Sequence, residues 1–331
     1  MKRKRATLQD IAEKVGVTKM TISRFLRNPN AVSVTTQQKI KRVIAETGYI
    51  PNKAPSLLSN SKSYAIGVLV PSLTNQVFAE VINGIEAITE PTGYQIMMAH
   101  YGYSAEVEEK HIKSLLSYQI DGLLLSDFEH TEHTLNMIEQ AGIPVVEMMD
   151  TTQQGIHDAV GIDTIDAAKM ATNTLIRKGY RHPIYFGARL DTRTRLKLDG
   201  FTQACQEANL QALSLMTEQS SSFTLGAELF CQALKKYPNI DAIFCTNDDL
   251  AVGVIFECQR QGIKIPEQMA IMGFHGHDVG RSIVPKLASV RTPREEIGRR
   301  SADILLKRII DDTIGHSIVQ LDVSIDVGES I

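Results

Sequence analysis

From Tyr64 to the end of the chain, short apolar runs alternate with amphipathic segments, and this alternation restricts the fold more than any other feature. The first set of runs comprises residues 65–70, 94–99, 122–126 and 144–149, with candidate helices from Val77, Ser104 and Thr131. A second set comprises "AVGI", "PIYFG", "AIFCT" and "AIMGF". Strands that alternate with helices form right-handed βαβ units and parallel sheets. Two such sets predict two α/β lobes with a cleft between them.

The first fifty residues carry a helical pattern instead. Thr7 and Asp10 form a candidate capping pair, followed by apolar residues at helical spacing: Leu8, Ile11, Ala12 and Val15. Gly16 can end this helix in the left-handed conformation of a tight turn. Two further helices are predicted after the candidate caps Thr18 and Ser33, with inner faces at Ile22 and Leu26 and at Ile40, Val43 and Ile44, the last ending near Gly48. This order indicates an all-α helix-turn-helix head.

The charge distribution supports a nucleic-acid-binding head. Residues 1–62 hold 13 Lys and Arg against three Asp and Glu, a net charge of +10, whereas the remainder holds 22 against 35, a net charge of −13. A basic end on an acidic body is typical of a nucleic-acid-binding module, although a solvated basic tail has the same composition. The helical pattern inside the segment favours the module.

The second helix of such a head enters the major groove. Its candidate base-reading residues are Lys19, Met20 and Arg24, since Lys and Arg pair with guanine and Met offers apolar contact to a thymine methyl. Candidate phosphate contacts are Thr18, Thr21, Ser23 and Arg27, and the further candidate DNA-binding residues are Thr7, Asn52 and Lys53. The alternative is that these are ordinary surface residues of a small helical bundle.

The runs "TLQDIAEKVGVTKMTISRFLRNP", "VSVTTQQKI" and "GYIPNKA" resemble the head of the LacI/GalR family of bacterial repressors, and the resemblance extends over essentially the whole chain. It implies a head at 1–50, a hinge at 51–63, and a periplasmic-binding-protein-like body of two doubly wound lobes at 64–331. The implied N-lobe is about 64–163 and 293–321, and the C-lobe about 164–292 and 322–331. The resemblance also implies a homodimer on operator DNA, with the hinge folding into a helix there and Leu58 wedged into the minor groove. A plain flexible linker is the alternative.

Ligands of open α/β sheets bind outside the carboxyl ends of the strands. The polar and aromatic residues near those ends are Ser72, Asn75, Phe78, Glu147, Asp150, Asp163, Arg193, Lys197, Asn247 and His275. Arg189, Arg193, Arg195 and Lys197 stand near a helix start, where cations and helix N–H groups form an anion site. The alternative for each of these residues is an ordinary role as a surface charge or a helix cap. Asn247 and Asp248 are good helix caps by type.

The resemblance narrows the expected ligand. Arg193, Lys197, Asn247 and His275 match effector-pocket positions of the family, which commonly has Asp where His275 stands and Arg where Lys197 stands. Both differences favour an anionic effector. The runs "SLTNQVFAE", "FCTNDDLAVG", "FECQR" and "GFHGHD" are similar to family members that control the use of sugar acids, which implies D-gluconate, with idonate as the close alternative.

Several other classes of function lack a sequence signal. No GxGxxG or Walker A motif indicates a nucleotide cofactor, and no cofactor is expected. Two His-containing groups, around His130 and around His275, lack the companion residues of a zinc site. The four cysteines predict buried thiols. The chain has no signal peptide or apolar run long enough for a membrane, so we expect a cytoplasmic protein. A solute-binding protein, an enzyme acting on a sugar or sugar acid, and a DNA-binding activator remain the competing functions.

Overall fold

The structure is a computed structural model that describes residues 6–51, 62–153 and 155–331. The predicted DNA contacts Asn52, Lys53 and Leu58 lie outside the described residues. The chain divides into two compact units, residues 1–63 and 64–331, and each described core lies within one unit. None of the helices in the described ranges is both long and apolar enough to cross a membrane.

The head contains three helices: α1 Leu8–Val15, α2 Lys19–Arg27 and α3 Val34–Thr47. The predicted capping box is present, with the Thr7 side chain accepting from the Asp10 backbone N–H and the Asp10 carboxylate accepting from the Thr7 backbone N–H at 2.7 Å. Gly16 ends α1 at φ 78°, a left-handed conformation that favours glycine. The reversal between α1 and α2 is therefore built from Gly16 at the end of α1 and Thr18, which caps the start of α2.

The core of the head differs in two details from the expectation. Phe25 is buried and Leu26 only partly so, because both flank the helical face of Ile22 and the larger ring takes the central place. Ser33 stands at the start of α3, but its hydroxyl contacts the Thr36 hydroxyl at 2.9 Å rather than a backbone N–H. The helix-turn-helix arrangement does not depend on either detail.

The body forms two α/β lobes. The elements of the first part are β1 Ala65–Val70, α4 Gln76–Thr89, β2 Gln95–His100, α5 Ala105–Ser117, β3 Gly122–Leu125, α6 Glu132–Ala141, β4 Val145–Asp150 and β5 Asp158–Ile162. Then follow α7 Thr164–Arg177, β6 Pro183–Ala188, α8 Thr192–Glu207, β7 Leu213–Thr217, α9 Phe223–Lys236, β8 Ala242–Cys245, α10 Asp248–Gln261, β9 Ala270–His275, α11 Asp278–Ser282 and β10 Ala288–Arg291. The C-terminal part comprises α12 Arg294–Ile310, β11 Ile318–Gln320 and β12 Ser324–Asp326.

Each lobe is built on one six-stranded sheet. The first sheet has the order β11-β5-β4-β3-β1-β2, with every pair parallel. The second has the order β12-β10-β9-β8-β6-β7, parallel except that β12 runs antiparallel to β10. The chain passes between the sheets after β5, after β10 and between β11 and β12. We call the lobe on the first sheet the N-lobe and the other the C-lobe.

The sequence pattern assigns one strand, β5, to the wrong set of apolar runs. The "AVGI" run, part of β5, pairs with β4 and belongs to the first sheet, so the division falls after β5 rather than before it. Buried parallel strands are apolar on both faces, and such a run carries no mark of which sheet it joins.

Two glycines allow helices α4 and α12 to pack closely beside the cleft. A Cβ on Gly84 of α4 would lie 2.1 Å from the Glu295 carbonyl oxygen, and one on Gly298 of α12 would lie 2.0 Å from the Val81 carbonyl oxygen. Larger residues would therefore force α4 and α12 apart. This close packing of two helix backbones fixes α4, whose first turn lines the cleft.

Candidate nucleic-acid interface and ligand cleft

Helix α2 presents one exposed face and one buried face. Thr18 caps it by accepting from the Thr21 backbone N–H at 3.2 Å, and Ile22 is buried in the head. The opposite face exposes Lys19, Met20 and Arg24, and the Met20 side chain is 71% exposed. An exposed methionine between two cations has no partner in the head's own core, and the face offers both charged and apolar contacts to a groove.

The other predicted contacts in the head lie around this face. Thr18 and Arg27 are exposed, whereas Thr21 and Ser23 are partly buried. Thr7 is exposed at the start of α1, and its hydroxyl donates to the Asp10 carboxylate at 2.8 Å. Helix starts of this kind present backbone N–H groups, which suit contact with phosphate.

A cleft lies between the lobes, where strands of both sheets end. The N-lobe contributes the first turn of α4, the loop after β2 and the end of β4, and the C-lobe contributes the start of α8 and the ends of β6, β8 and β9. The lining residues are Asn75, Val77, Phe78, Tyr103, Met149, Arg189, Asp191, Arg193, Thr194, Lys197, Thr246, Asn247 and His275.

Helix α8 places two basic side chains, Arg193 and Lys197, in the cleft. Asp191 caps the helix by accepting from the Thr194 backbone N–H at 2.8 Å. Arg193 and Lys197 follow in its first two turns, four residues apart, and therefore share one face of the helix. The capping contact engages the one carboxylate among the lining residues and leaves both cations directed into the cleft.

Lys197 is buried in an unusual setting for an amine. Its Nζ donates to the Thr246 carbonyl oxygen at 2.9 Å, lies 3.4 Å from His275 Nε2, and lies 4.2 Å from the centre of the Phe274 ring. Burial lowers the pKa of Lys197 to about 7. A negative charge added in the cleft would therefore stabilise the protonated form of Lys197.

His275 is neutral in the cleft. Burial, together with the nearby Lys197, lowers the pKa of this imidazole well below its ordinary value. Nε2 faces the Lys197 amine as an acceptor, which places the ring proton on Nδ1, 3.4 Å from the Thr292 hydroxyl oxygen. The residue has φ 101°, a rare conformation for a side chain other than glycine. The backbone at the end of β9 thus holds the ring at the cleft wall.

Arg193 connects the two lobes. One guanidinium N–H donates to the Ser126 carbonyl oxygen of the N-lobe, and the guanidinium carbon lies 5.9 Å from the centre of the Phe78 ring. Burial by itself lowers the pKa of Arg193, but the nearby carboxylates of Asp127 and Asp191 outweigh it and raise the pKa above its ordinary value. Arg193 therefore remains a cation although it is partly buried.

Arg189 makes a second contact across the cleft. Its guanidinium carbon lies 5.3 Å from the centre of the Tyr103 ring of the N-lobe, and one N–H donates to the Ser221 hydroxyl at 3.1 Å. The same hydroxyl accepts from Asn247 Nδ2 at 2.7 Å. Asn247 also caps α10 through its other amide atom, accepting from the Leu250 N–H at 3.2 Å. Its capping role and its position in the cleft coexist.

The structure brings together six of the ten predicted effector residues: Asn75, Phe78, Arg193, Lys197, Asn247 and His275. The other four are not among the side chains that line the cleft. Ser72 accepts from the backbone N–H groups of its own loop, and Asp163 caps α7. Asp150 accepts from Thr152, and Glu147 lies in a buried cluster with His130. The strand-end rule selects a sheet edge but not the direction of each side chain.

Six lining residues were not predicted as part of the site: Val77, Tyr103, Met149, Asp191, Thr194 and Thr246. Thr246 directly follows β8, so the strand-end rule would have found it. Thr194 lies between the two predicted cations of α8. Tyr103 and Met149 gave no signal, since both adopt positive φ, at 63° and 88°, in segments whose course is set by tertiary packing. Across the described ranges, no group of three or more His, Cys, Asp and Glu residues is placed to hold a metal ion.

Comparison with known proteins assigns both units. Residues 7–52 match the family described as "Bacterial regulatory proteins, lacI family", and residues 63–325 match "Periplasmic binding proteins and sugar binding domain of LacI family". The chain is 55% identical over the full length of both proteins to the HTH-type transcriptional regulator GntR of Escherichia coli K12. It is 42% identical to the HTH-type transcriptional regulator IdnR of the same organism, again with all of each chain covered.

A solved structure of a LacI-family transcriptional regulator from Silicibacter pomeroyi has a TM-score of 0.91 at 33% identity, over 98% of this chain and 99% of that one. The predicted fold, a helical head joined to a periplasmic-binding-protein-like body of two α/β lobes, is confirmed. So is the predicted class of function, because these relatives are DNA-binding regulators rather than enzymes. The chain belongs to the LacI family of bacterial regulatory proteins.

Proposed function

We propose that this regulator is a repressor that binds its operator as a homodimer and releases it when a sugar acid, D-gluconate, binds in the cleft. The observation that carries the ligand is the convergence of three basic side chains, Arg189, Arg193 and Lys197, on one cleft between the lobes. A neutral sugar gains little from three cations, whereas a carboxylate satisfies them with charge-assisted hydrogen bonds.

The remaining lining groups suit a polyhydroxylated chain. Asn75, Asn247, Thr246 and His275 supply amide, hydroxyl and imidazole groups around the cations. The neutral imidazole of His275 can accept or donate a hydrogen bond without adding charge. The four sequence runs that resemble sugar-acid regulators support the same ligand class, with idonate as the alternative.

The head supplies the DNA contacts in this proposal. Lys19, Met20 and Arg24 read base edges from α2, and Thr7, Thr18, Thr21, Ser23 and Arg27 contact phosphates. Leu58 of the hinge acts in the minor groove, where a wedged leucine kinks the duplex, and Asn52 and Lys53 supply further DNA contacts. A homodimer places two such heads on a pseudo-palindromic operator.

Release of the operator follows from a difference in effector affinity between two states of the protein. An effector shifts the equilibrium between operator-competent and released states only by the difference in its affinity for the two. Arg193 and Arg189 each contact both sides of the cleft, so an anion bound between them favours the closed arrangement of the lobes. Closure shifts the dimer interface and disfavours the paired hinge.

A thermal-shift comparison tests the ligand class, because a ligand that binds the native state raises the melting temperature. D-gluconate, idonate and the neutral D-glucose are compared at matched concentrations. We expect a rise with gluconate that is lost in Lys197→Met and kept in Arg195→Ala, since Arg195 is exposed on the same helix and does not line the cleft. Equal stabilisation by glucose, or none by either sugar acid, contradicts the proposal.

A further inference from the structure

A buried cluster of three charged residues lies in the N-lobe, away from the residues that line the cleft. His130 Nδ1 lies 2.6 Å from Glu108 Oε2, and His130 Nε2 lies 3.2 Å from Glu147 Oε1. Each of the three side chains is about 1% exposed. We call Glu108, His130 and Glu147 the buried triad. It joins α5, the loop after β3 and strand β4.

The triad is a charged unit rather than a metal site. Burial works against the charge on His130, but hydrogen bonds to Glu108 and Glu147 outweigh it and raise the pKa of His130 to about 10. The imidazolium therefore lies between the carboxyl groups of Glu108 and Glu147, and burial raises the pKa of Glu108 above its usual range. Both ring nitrogens are engaged by carboxylate oxygens, so neither is available to a metal ion.

The triad also holds the segment that follows β4. The second oxygen of Glu147 accepts from the Ile156 backbone N–H. A Cβ on Gly155 would lie 2.1 Å from that oxygen, so the backbone approaches the carboxylate as closely as glycine allows. Removal of the cation would leave two buried carboxylates close together without a counter-charge, which is strongly unfavourable.

The loop that carries His130 also carries two N-lobe residues that interact with Arg193, in addition to Phe78 of α4. At its start, the Ser126 hydroxyl donates to the Leu69 carbonyl oxygen at 2.7 Å, and the Ser126 carbonyl oxygen accepts from Arg193. Asp127 raises the pKa of Arg193 by its charge. At the other end, the Thr131 hydroxyl donates to Glu109 at 2.6 Å, next to His130. We call residues 126–131 the Arg193 loop.

We propose that His130, clamped between Glu108 and Glu147, is a positioning residue for effector binding: it fixes the Arg193 loop so that Ser126 and Asp127 hold Arg193 across the cleft. This inference rests on the proposed function, in which Arg193 binds the effector. His130 does not line the cleft and acts only through Arg193. A triad that merely stabilises the N-lobe would not be coupled to one particular side chain of the other lobe.

The test is a double-mutant cycle read by calorimetry with D-gluconate. We expect His130→Gln to weaken gluconate binding at least tenfold and to leave operator affinity without gluconate within twofold. In an Arg193→Ala background the same change should cost less than twofold, because the side chain that it positions is gone. His182→Gln is the control, since His182 is exposed in the C-lobe and lies outside both the Arg193 loop and the cleft lining. Equal losses in both backgrounds overturn the proposal.

Two further measurements keep the test decisive. If His130→Gln fails to fold, His130→Gln/Glu147→Gln removes one cation and one carboxylate together and keeps the net charge of the triad; wild-type gluconate affinity in that variant overturns the proposal. Hydrogen exchange of the Arg193 guanidinium, followed by NMR without ligand, should speed up at least tenfold when His130 is replaced. The exchange measurement needs no gluconate and therefore separates the two claims. If the wild type does not bind gluconate, the proposed function fails. Unchanged guanidinium exchange would refute the positioning role of His130 in either case.

Discussion

The recognition face of α2 and the cleft between the lobes both present cations to an anionic partner, but in opposite surroundings. Lys19 and Arg24 are exposed on a small helical head, whereas Lys197 and the inward face of Arg193 are enclosed between the lobes. Exposed charges act through a salt-sensitive field, and buried charges act through desolvation and fixed hydrogen bonds. On the proposed function, one chain would use the same residue types for a salt-dependent contact with DNA and for a pH-dependent contact with a small ligand.

The largest expected difference is in salt dependence. Raising salt from 50 to 200 mM should weaken operator binding about 10³-fold or more, because two heads that together carry about +20 displace many counterions from DNA. Gluconate affinity should change less than about threefold over the same range, since enclosed pairs are poorly screened. Fluorescence anisotropy and calorimetry measure the two affinities. A gluconate dependence as steep as that of the operator would mean that the cleft cations are exposed.

Arg193→Ala should have the next largest effect. We expect gluconate affinity to fall about 100-fold, because truncating one partner of a buried charge pair costs about 2–5 kcal/mol. Operator affinity without gluconate should stay within twofold, as the head is a separate unit with its own core. Calorimetry and anisotropy check the two values, with Arg195→Ala as the control on the same helix. Unaltered gluconate binding would remove Arg193 from the site.

The pH dependence of gluconate binding should follow Lys197. Its pKa in the free protein is lowered by burial to about 7, and a bound carboxylate must raise it. Binding therefore takes up a proton above pH 7, and affinity should fall about fivefold from pH 7 to pH 8, because the protonated fraction of Lys197 falls from about one half to about one eleventh, while affinity is nearly constant below pH 6. The ionisable groups that face Lys197 are Arg189, Asp191, Arg193, Asp248 and His275.

A Lys197→Arg variant sharpens this prediction, because arginine stays charged over the whole range. Its gluconate affinity should be flat between pH 7 and pH 8.5 in calorimetric titrations. If the slope persists in the variant, another group is responsible, and the first candidate is Asp248, whose pKa burial raises to about 7.

Met20→Ala should have the smallest effect. Loss of an apolar contact to a thymine methyl should weaken binding to the preferred operator about fivefold, within the range for one base contact, and leave binding to a site changed at that base pair almost unaltered. Anisotropy against a set of single-substitution operators measures this. An equal loss on every sequence would show that Met20 does not read a base.

The sequence predicted regular features well because they follow from spacing. The four-residue interval from Arg193 to Lys197 places both on one helical face, and the capping box of Thr7 and Asp10 is local. Directions set by tertiary packing were not predictable. Glu147 and Asp150 belong to the strand that ends at the cleft, yet the Glu147 carboxylate contacts His130 and the Asp150 carboxylate accepts from the Thr152 backbone N–H. Arg189 and Tyr103 meet across the lobes through positive-φ backbones that no pattern indicates.

The central claim is that an anion in the enclosed cleft controls the exposed contacts of the head. Operator affinity measured by anisotropy, with and without saturating D-gluconate at constant salt and pH, tests it most directly. The account predicts a clear loss of operator affinity on addition of gluconate in the wild type and none in Arg193→Ala. Unchanged or tighter operator binding in the wild type would contradict it.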